Sequence, residues 1–279
     1  MREISADAVK EAVARLCIEA NCCLGEDVKQ ALQEACEREE SPLGKEALQK
    51  ALLNAALAEK ERMPLCQDTG IAVVWAEVGQ EVRISGGNLA DAINAGVRQG
   101  YGEGFLRPSI VAGLERVNTG DNTPAVIYYD LVPGEQLRIT VAPKGAGSEN
   151  MSGVKMLTPA EGIKGIKRFV VETVEKAGSN PCPPVVVGVG IGGTMDKAAL
   201  LARRALLRPL GTPNPAADVA ALEKELLKEI NCLGIGPQGF GGRTTALAVH
   251  IEIYPTHIAC LPVAVNLSCY CARHREVVL

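Results

Sequence analysis

A change of period near residue 62 divides the chain and limits its folds. From about residue 5 to 62, the stretches DAVKEAVARLCIEA, EDVKQALQEACERE and GKEALQKALLNAALAEKER place apolar side chains three and four apart, the spacing of one helix face. Ser5, and Ser41 followed by Pro42, stand where helices begin. After residue 70 the signal becomes short β-branched runs: IAVVWAEV (71–78), AVIYYDLV (125–132), QLRITVAPK (136–144), VVVGVG (185–190), TALAVHIEIY (245–254) and LPVAVNLSC (261–269). Helical patterns intervene at NLADAINAGVRQGYG, TPAEGIKGIKRFVVETVEKAG, TMDKAALLARRALL and PAADVAALEKELLKEINCLG. The turn PGEQ (133–136) between two alternating runs predicts an antiparallel hairpin, and hence a mixed sheet. The expectation is an α+β fold: a helical lead-in over residues 1–62, then mixed or antiparallel sheets packed with helices, in one domain spanning 1–279 with two sheets possible. GTPNPAA (211–217) is expected to be an exposed loop.

Charge and composition exclude several classes of function. A net charge of -4 with scattered basic residues gives no footprint for nucleic acid, and aromatics at 3% remove stacking platforms for single strands. No run approaches the roughly 18 to 20 apolar residues of a membrane span. The start MREISADAVKEAVARLC carries acidic residues and no unbroken apolar stretch, so it does not read as a secretory signal. A cytoplasmic protein with no nucleic-acid or membrane partner is expected.

Two glycine stretches invite a dinucleotide reading. Gly188-Val-Gly190-Ile-Gly192-Gly193 follows a strand and precedes a helix, as a phosphate cradle would. The acidic residue needed about 20 residues on, to hold a ribose, is replaced by RRALLRPLG. Gly234-Ile-Gly236-Pro237-Gln238-Gly239 matches by letter but follows a helix and precedes a strand, the reverse order. Both read instead as sharp turns or as backbone brought close to another group.

Ten cysteines are unusual for a cytosolic chain and too dispersed for a disulfide scaffold. Cys17 and Cys36 lie on helical patterns and read as buried apolar positions, and Cys22 and Cys23 lack partners at metal-ligand spacing. Cys66 in PLCQDTG, Cys182 in NPCPPVVV and Cys269 in VNLSCYCARH stand at strand edges, where functional groups are usually mounted. No CxxC pair occurs, so the common structural zinc patterns fail. Three convergent thiolates would suit zinc or an iron-sulfur cluster; a cubane held by three leaves one iron open to substrate.

The phrases PLCQDTG, NTGDNTPA, NPCPPVVVGVGIGGT, GIGPQGFGGRTTALAVHIE and PTHIACLPVAVNLSC resemble, in order and from about residue 5 to the C-terminus, the α subunit of two-subunit, iron-sulfur (class I) fumarate hydratases. The chain is similar also to the α subunit of L(+)-tartrate dehydratase. The resemblance implies a [4Fe-4S] cluster held by Cys66, Cys182 and Cys269, with Cys260 and Cys271 as bystanders. It implies reversible hydration of fumarate to L-malate, or dehydration of tartrate to oxaloacetate, with the open iron acting as a Lewis acid.

Further implications concern the substrate, a small dicarboxylate. Gln67 and Asp68 would reach it beside the cluster, Asp68 also as a catalytic group, and Arg107 in FLRPS would offer a guanidinium fork to a carboxylate. Gly147 and Asn150 in KGAGSEN would present donors to the second carboxylate. Single-chain relatives have KGGGSANK there, which bears on Glu149 and Met151. Lys144 reads equally as a solvated loop charge or a substrate contact. His257 matches a histidine near the substrate and is a candidate catalytic group, with a structural role as its alternative; His250 reads as structural. Single-chain relatives continue into a second domain that supplies a threonine base, arginines and a lysine. This chain ends at Leu279, so the resemblance implies that a β subunit completes the site, in an (αβ)2 assembly.

Overall fold

The computed structural model describes residues 1–279. In chain order the elements are β1 (Arg2–Ser5), α1 (Ala6–Cys22), α2 (Glu26–Arg38), α3 (Pro42–Glu61), β2 (Ile71–Gly79), β3 (Val82–Ser85), α4 (Leu89–Glu103), β4 (Val111–Ala112), β5 (Val117–Asn118), β6 (Val126–Val132), β7 (Leu137–Lys144), α5 (Ala146–Glu149), β8 (Gly153–Leu157), α6 (Gly162–Ala177), β9 (Val185–Gly192), α7 (Met195–Ala205), α8 (Ala217–Asn231), β10 (Ala246–Tyr254), β11 (Leu261–Ser268) and β12 (Arg275–Val278). The fold is α+β, as its sequence periods imply. The expected helical starts hold locally: Ser5 Oγ accepts the Ala8 N–H at 3.1 Å, and Ser41 Oγ accepts that of Gly44 at 3.2 Å.

The chain packs as two compact units. The first comprises Met1–Leu24, Ala55–Ala146 and Arg273–Leu279; the second comprises Gly25–Asn54 and Gly147–Ala272. The first unit carries a mixed sheet of order β12-β7-β2-β6, with β2 parallel to β6 and antiparallel to β7. Its core joins Val9, Val13 and Leu16 of α1 and Ile93 and Val97 of α4 to Val74, Ile139 and Val141 of the sheet. Full burial of each such side chain contributes about 1.5–3 kcal/mol.

The hairpin expected at 133–136 does not form. β2 lies between β6 and β7, because its nearly continuous apolar run is buried on both faces and takes a central place. The PGEQ segment instead crosses the end of β2, where the N–H groups of Gly79 and Glu81 donate to the carbonyls of Gln136 and Gly134 at 2.9 and 3.0 Å.

The second unit has a sheet of order β10-β9-β11-β8, with β9 parallel to β10 and antiparallel to β11. Alternate residues of β9 face opposite ways. Val185, Val187, Val189 and Ile191 join a core with α6 and α8. The other face carries Gly188 and Gly190, where an added Cβ would strike the carbonyls of Ala202 and Ala198 in α7. The first glycine motif therefore serves close packing of a helix on a strand, consistent with backbone brought near another group rather than a phosphate cradle.

Candidate functional site

In the first unit, the turn Cys66–Gly70 enters β2 opposite the end of β7, since Ile71 pairs with Lys144. Its backbone is held from several sides. Leu65 donates to Asn21 O at 2.8 Å, and the buried Tyr101 hydroxyl lies 2.8 Å from Thr69 O and 3.1 Å from Gly70 O. Burial pushes the Tyr101 phenol up, so it stays a neutral donor. Asn122 Nδ2 donates to Gly70 O at 3.1 Å, while Asn122 Oδ1 accepts from Ser109 N at 2.7 Å. Thr69 Oγ1 donates to Arg107 O and accepts from Arg107 N, at 3.1 and 3.0 Å, which fixes the backbone that carries the exposed Arg107 side chain.

Within that frame the candidate side chains are close neighbours. Cys66 Sγ accepts the Asp68 amide at 3.4 Å and donates to Gln67 Oε1 at 3.3 Å. Asp68 Oδ1 accepts from Gly70 N at 3.1 Å and Oδ2 from Ala146 N at 2.8 Å. These two bonds leave about half of the carboxylate's lone pairs for other donors. Lys144 is only 7% exposed, so it is not the solvated loop charge that one reading of the sequence allowed.

Sequence reasoning missed Arg273. It is 8% exposed, and its Nη2 donates to Asp68 O at 2.7 Å across 205 positions of sequence. A buried guanidinium is costly without partners, so this arginine shapes the turn. Its proximity to Cys269 in CYCARH was the one available signal.

In the second unit, Ser268 pairs with Val186, so Cys269 leaves β11 at the end of the sheet where Cys182 precedes β9. Cys182 has φ of +54°, in a region few side chains adopt, and is exposed; Cys269 is partly exposed. The loop 147–152 joins this end, with Ser152 Oγ accepting from Leu267 N at 3.1 Å and Asn180 Nδ2 contacting Met151 Sδ at 3.6 Å. Glu149 is bound by Arg203 of α7 and by Asn266 Nδ2 of β11, the latter at 3.3 Å. Gly147 and Asn150 flank this anchor and are exposed.

Within the second unit, His257 stands apart from the two thiols. It follows β10 just past the pairing of Tyr254 with Gly192, at the end of β9 opposite to Cys182 and Cys269. Eight strand residues at about 3.3 Å each separate those ends. His257 Nδ1 accepts the Ala259 N–H at 3.2 Å in an exposed turn. Cys260 shares that turn, and Cys271 is buried. His250 is buried with Nδ1 3.2 Å from Ala205 O; burial, then the nearby Arg208 charge, bring it down to about 4, so it is a neutral structural histidine.

No disulfide joins any of the ten cysteines, and burial pushes Cys17 up to about 12. No three His, Cys, Asp or Glu side chains gather closely enough to hold a single metal ion. The donor set does fit a thiolate-held cluster unit by unit. Cys66 already receives an amide N–H on sulfur, the kind of bond that tunes such clusters, and Cys182 and Cys269 emerge together and accessible.

No helix is long and apolar enough to cross a membrane. The family described as fumarate hydratase (Fumerase) matches residues 10–278. A Methanocaldococcus jannaschii protein provisionally named L(+)-tartrate dehydratase subunit alpha is 45% identical over 271 residues, covering 95% of both chains. The L(+)-tartrate dehydratase subunit alpha of Escherichia coli K12 is 33% identical over 276 residues, covering 98% of this chain and 91% of that one. With nearly its whole length matched, this chain belongs to the fumarate hydratase (Fumerase) family.

Proposed function

We propose that the chain is the α subunit of an iron-sulfur hydro-lyase that reversibly hydrates fumarate to L-malate, residues 1–279 serving as one catalytic domain. The emergence of Cys182 and Cys269 at one end of paired strands carries this reading. Cys66 is proposed as the third thiolate on the strength of its phrase PLCQDTG.

When bound, a [4Fe-4S] cluster on Cys66, Cys182 and Cys269 supplies an open iron, a Lewis acid toward substrate carboxylate and hydroxyl oxygens. The chain's own groups would do the rest. Gln67 orients the substrate, Arg107 grips one carboxylate, and Gly147 and Asn150 donate to the other. Asp68 and His257 serve proton transfer, each contributing about 10² to 10⁴ in rate. Because His257 lies at the far end of its sheet, its role is proposed in trans, at the site of a second copy of the chain.

The relatives' names as alpha subunits support a β subunit completing the site, in an (αβ)2 assembly. Ten cysteines with no disulfide among them suit a reducing, cytoplasmic setting. Those same names favour a second reading, dehydration of L(+)-tartrate to oxaloacetate. The test is anaerobic reconstitution of the chain with its β partner, then assay on L-malate and L(+)-tartrate. A brown protein that dehydrates malate at least tenfold faster supports the first reading. The reverse preference selects tartrate, and bound iron with turnover of neither contradicts both.

A further inference from the structure

The loop after α8 in the second unit is clamped between two acceptors. At one side Pro183 O receives both the backbone N–H of Gln238, at 2.7 Å, and its Nε2, at 2.9 Å. Gln238 itself has φ of +55°, a conformation glycine adopts freely and glutamine does not. At the other side the carboxylate of Glu39, 4% exposed, receives the N–H groups of Arg243 at 3.0 Å and Thr244 at 3.1 Å, besides those of Glu40 and Ser41. A Cβ at Gly242 would lie 2.5 Å from Glu39 Oε1, so the glycine before Arg243 admits that carboxylate.

Within the second glycine motif, Gln238 thus serves a group of the protein itself, the Pro183 carbonyl next to Cys182, and the Cys182 N–H donates to Ser179 O at 3.0 Å. A residue in a strained conformation that spends both its backbone and side-chain donors on one carbonyl is held there by more than chance packing.

We propose that Gln238 is a positioning residue for Cys182: it grips Pro183 O and so holds the Cys182 sulfur in the orientation that receives the cluster, an inference that rests on the function proposed above. Glu39 fixes the loop from behind.

The test uses the full chain bearing Gln238→Gly, which relieves the strained φ while removing Nε2, and Gln238→Glu, which keeps the shape but replaces the donor with an acceptor. Three quantities are measured: hydrogen exchange of the segment 179–184 in the iron-free chain, iron retained against a chelator after anaerobic reconstitution, and thermal midpoint. Both variants are expected to melt close to wild type, exchange at 179–184 at least tenfold faster with 65–70 unchanged, and lose iron at least threefold faster. Exchange and retention equal to wild type in both overturn the proposal. Should wild type itself hold no iron, the hydro-lyase reading fails, while the exchange comparison still decides whether Gln238 orders the Cys182 turn.

Discussion

Asp68 Oδ2 accepts the amide N–H of Ala146 at 2.8 Å, which ties the turn before β2 to the chain just after β7. The carboxylate is therefore oriented before any substrate arrives, and its remaining lone pairs have a fixed direction. Asp68→Asn retains one oxygen acceptor but loses the charge. It is expected to lower kcat by about 10² to 10⁴ while leaving iron content unchanged. Steady-state kinetics with parallel iron analysis check this.

Glu39 yields a pH prediction. Burial pushes its carboxyl up, but the amides of Arg243, Ser41, Thr244 and Glu40 outweigh burial and hold it below the usual carboxylate range. Its contribution to stability is present above the unfolded value of about 4.3 and is lost as pH falls through the folded value. Glu39→Gln should cost about 2 kcal/mol at neutral pH, a loss typical of bonds to a charged group. Denaturant titrations at a series of pH values should show that gap closing below about pH 4.

At Gly190 an added methyl group would strike the Ala198 carbonyl of α7. Gly190→Ala is expected to destabilise by about 3 kcal/mol, since neither β9 nor the helix can move without opening a buried core. Thermal or urea unfolding measures it.

The central strands were legible in sequence because β2, β9 and β11 are buried on both faces and read as apolar runs whatever their neighbours. Strand order was not. The PGEQ turn looked like a hairpin, and only competition for the middle of the sheet puts β2 between β6 and β7. β12 also escaped notice, since Arg275–Val278 becomes a strand only by pairing with residues 138–141. Among the candidate site residues, Cys66, Cys182 and Cys269 stood out by their strand-edge positions. Arg273, Gln238 and Glu39 did not, since each acts through a partner far away in sequence: 205 positions for Arg273 and Asp68, 55 for Gln238 and Pro183.

The position of His257 permits a complementation test. Chains carrying Asp68→Asn and chains carrying His257→Asn should each be nearly inactive. Mixed before assembly with the β partner, they should regain about a quarter of wild-type activity, because half of the two-fold assemblies then contain one intact site. No recovery would mean that both residues serve the same chain's site.

Iron content across a Cys→Ala series tests the central claim most directly. After anaerobic reconstitution the wild-type chain should bind roughly four irons. Cys66→Ala, Cys182→Ala and Cys269→Ala should each lose that iron, while Cys232→Ala and Cys260→Ala, whose thiols lie on a helix end and in the turn at the far end of the sheet, should keep it. Full iron in Cys182→Ala, or equal loss in Cys232→Ala, would contradict the account.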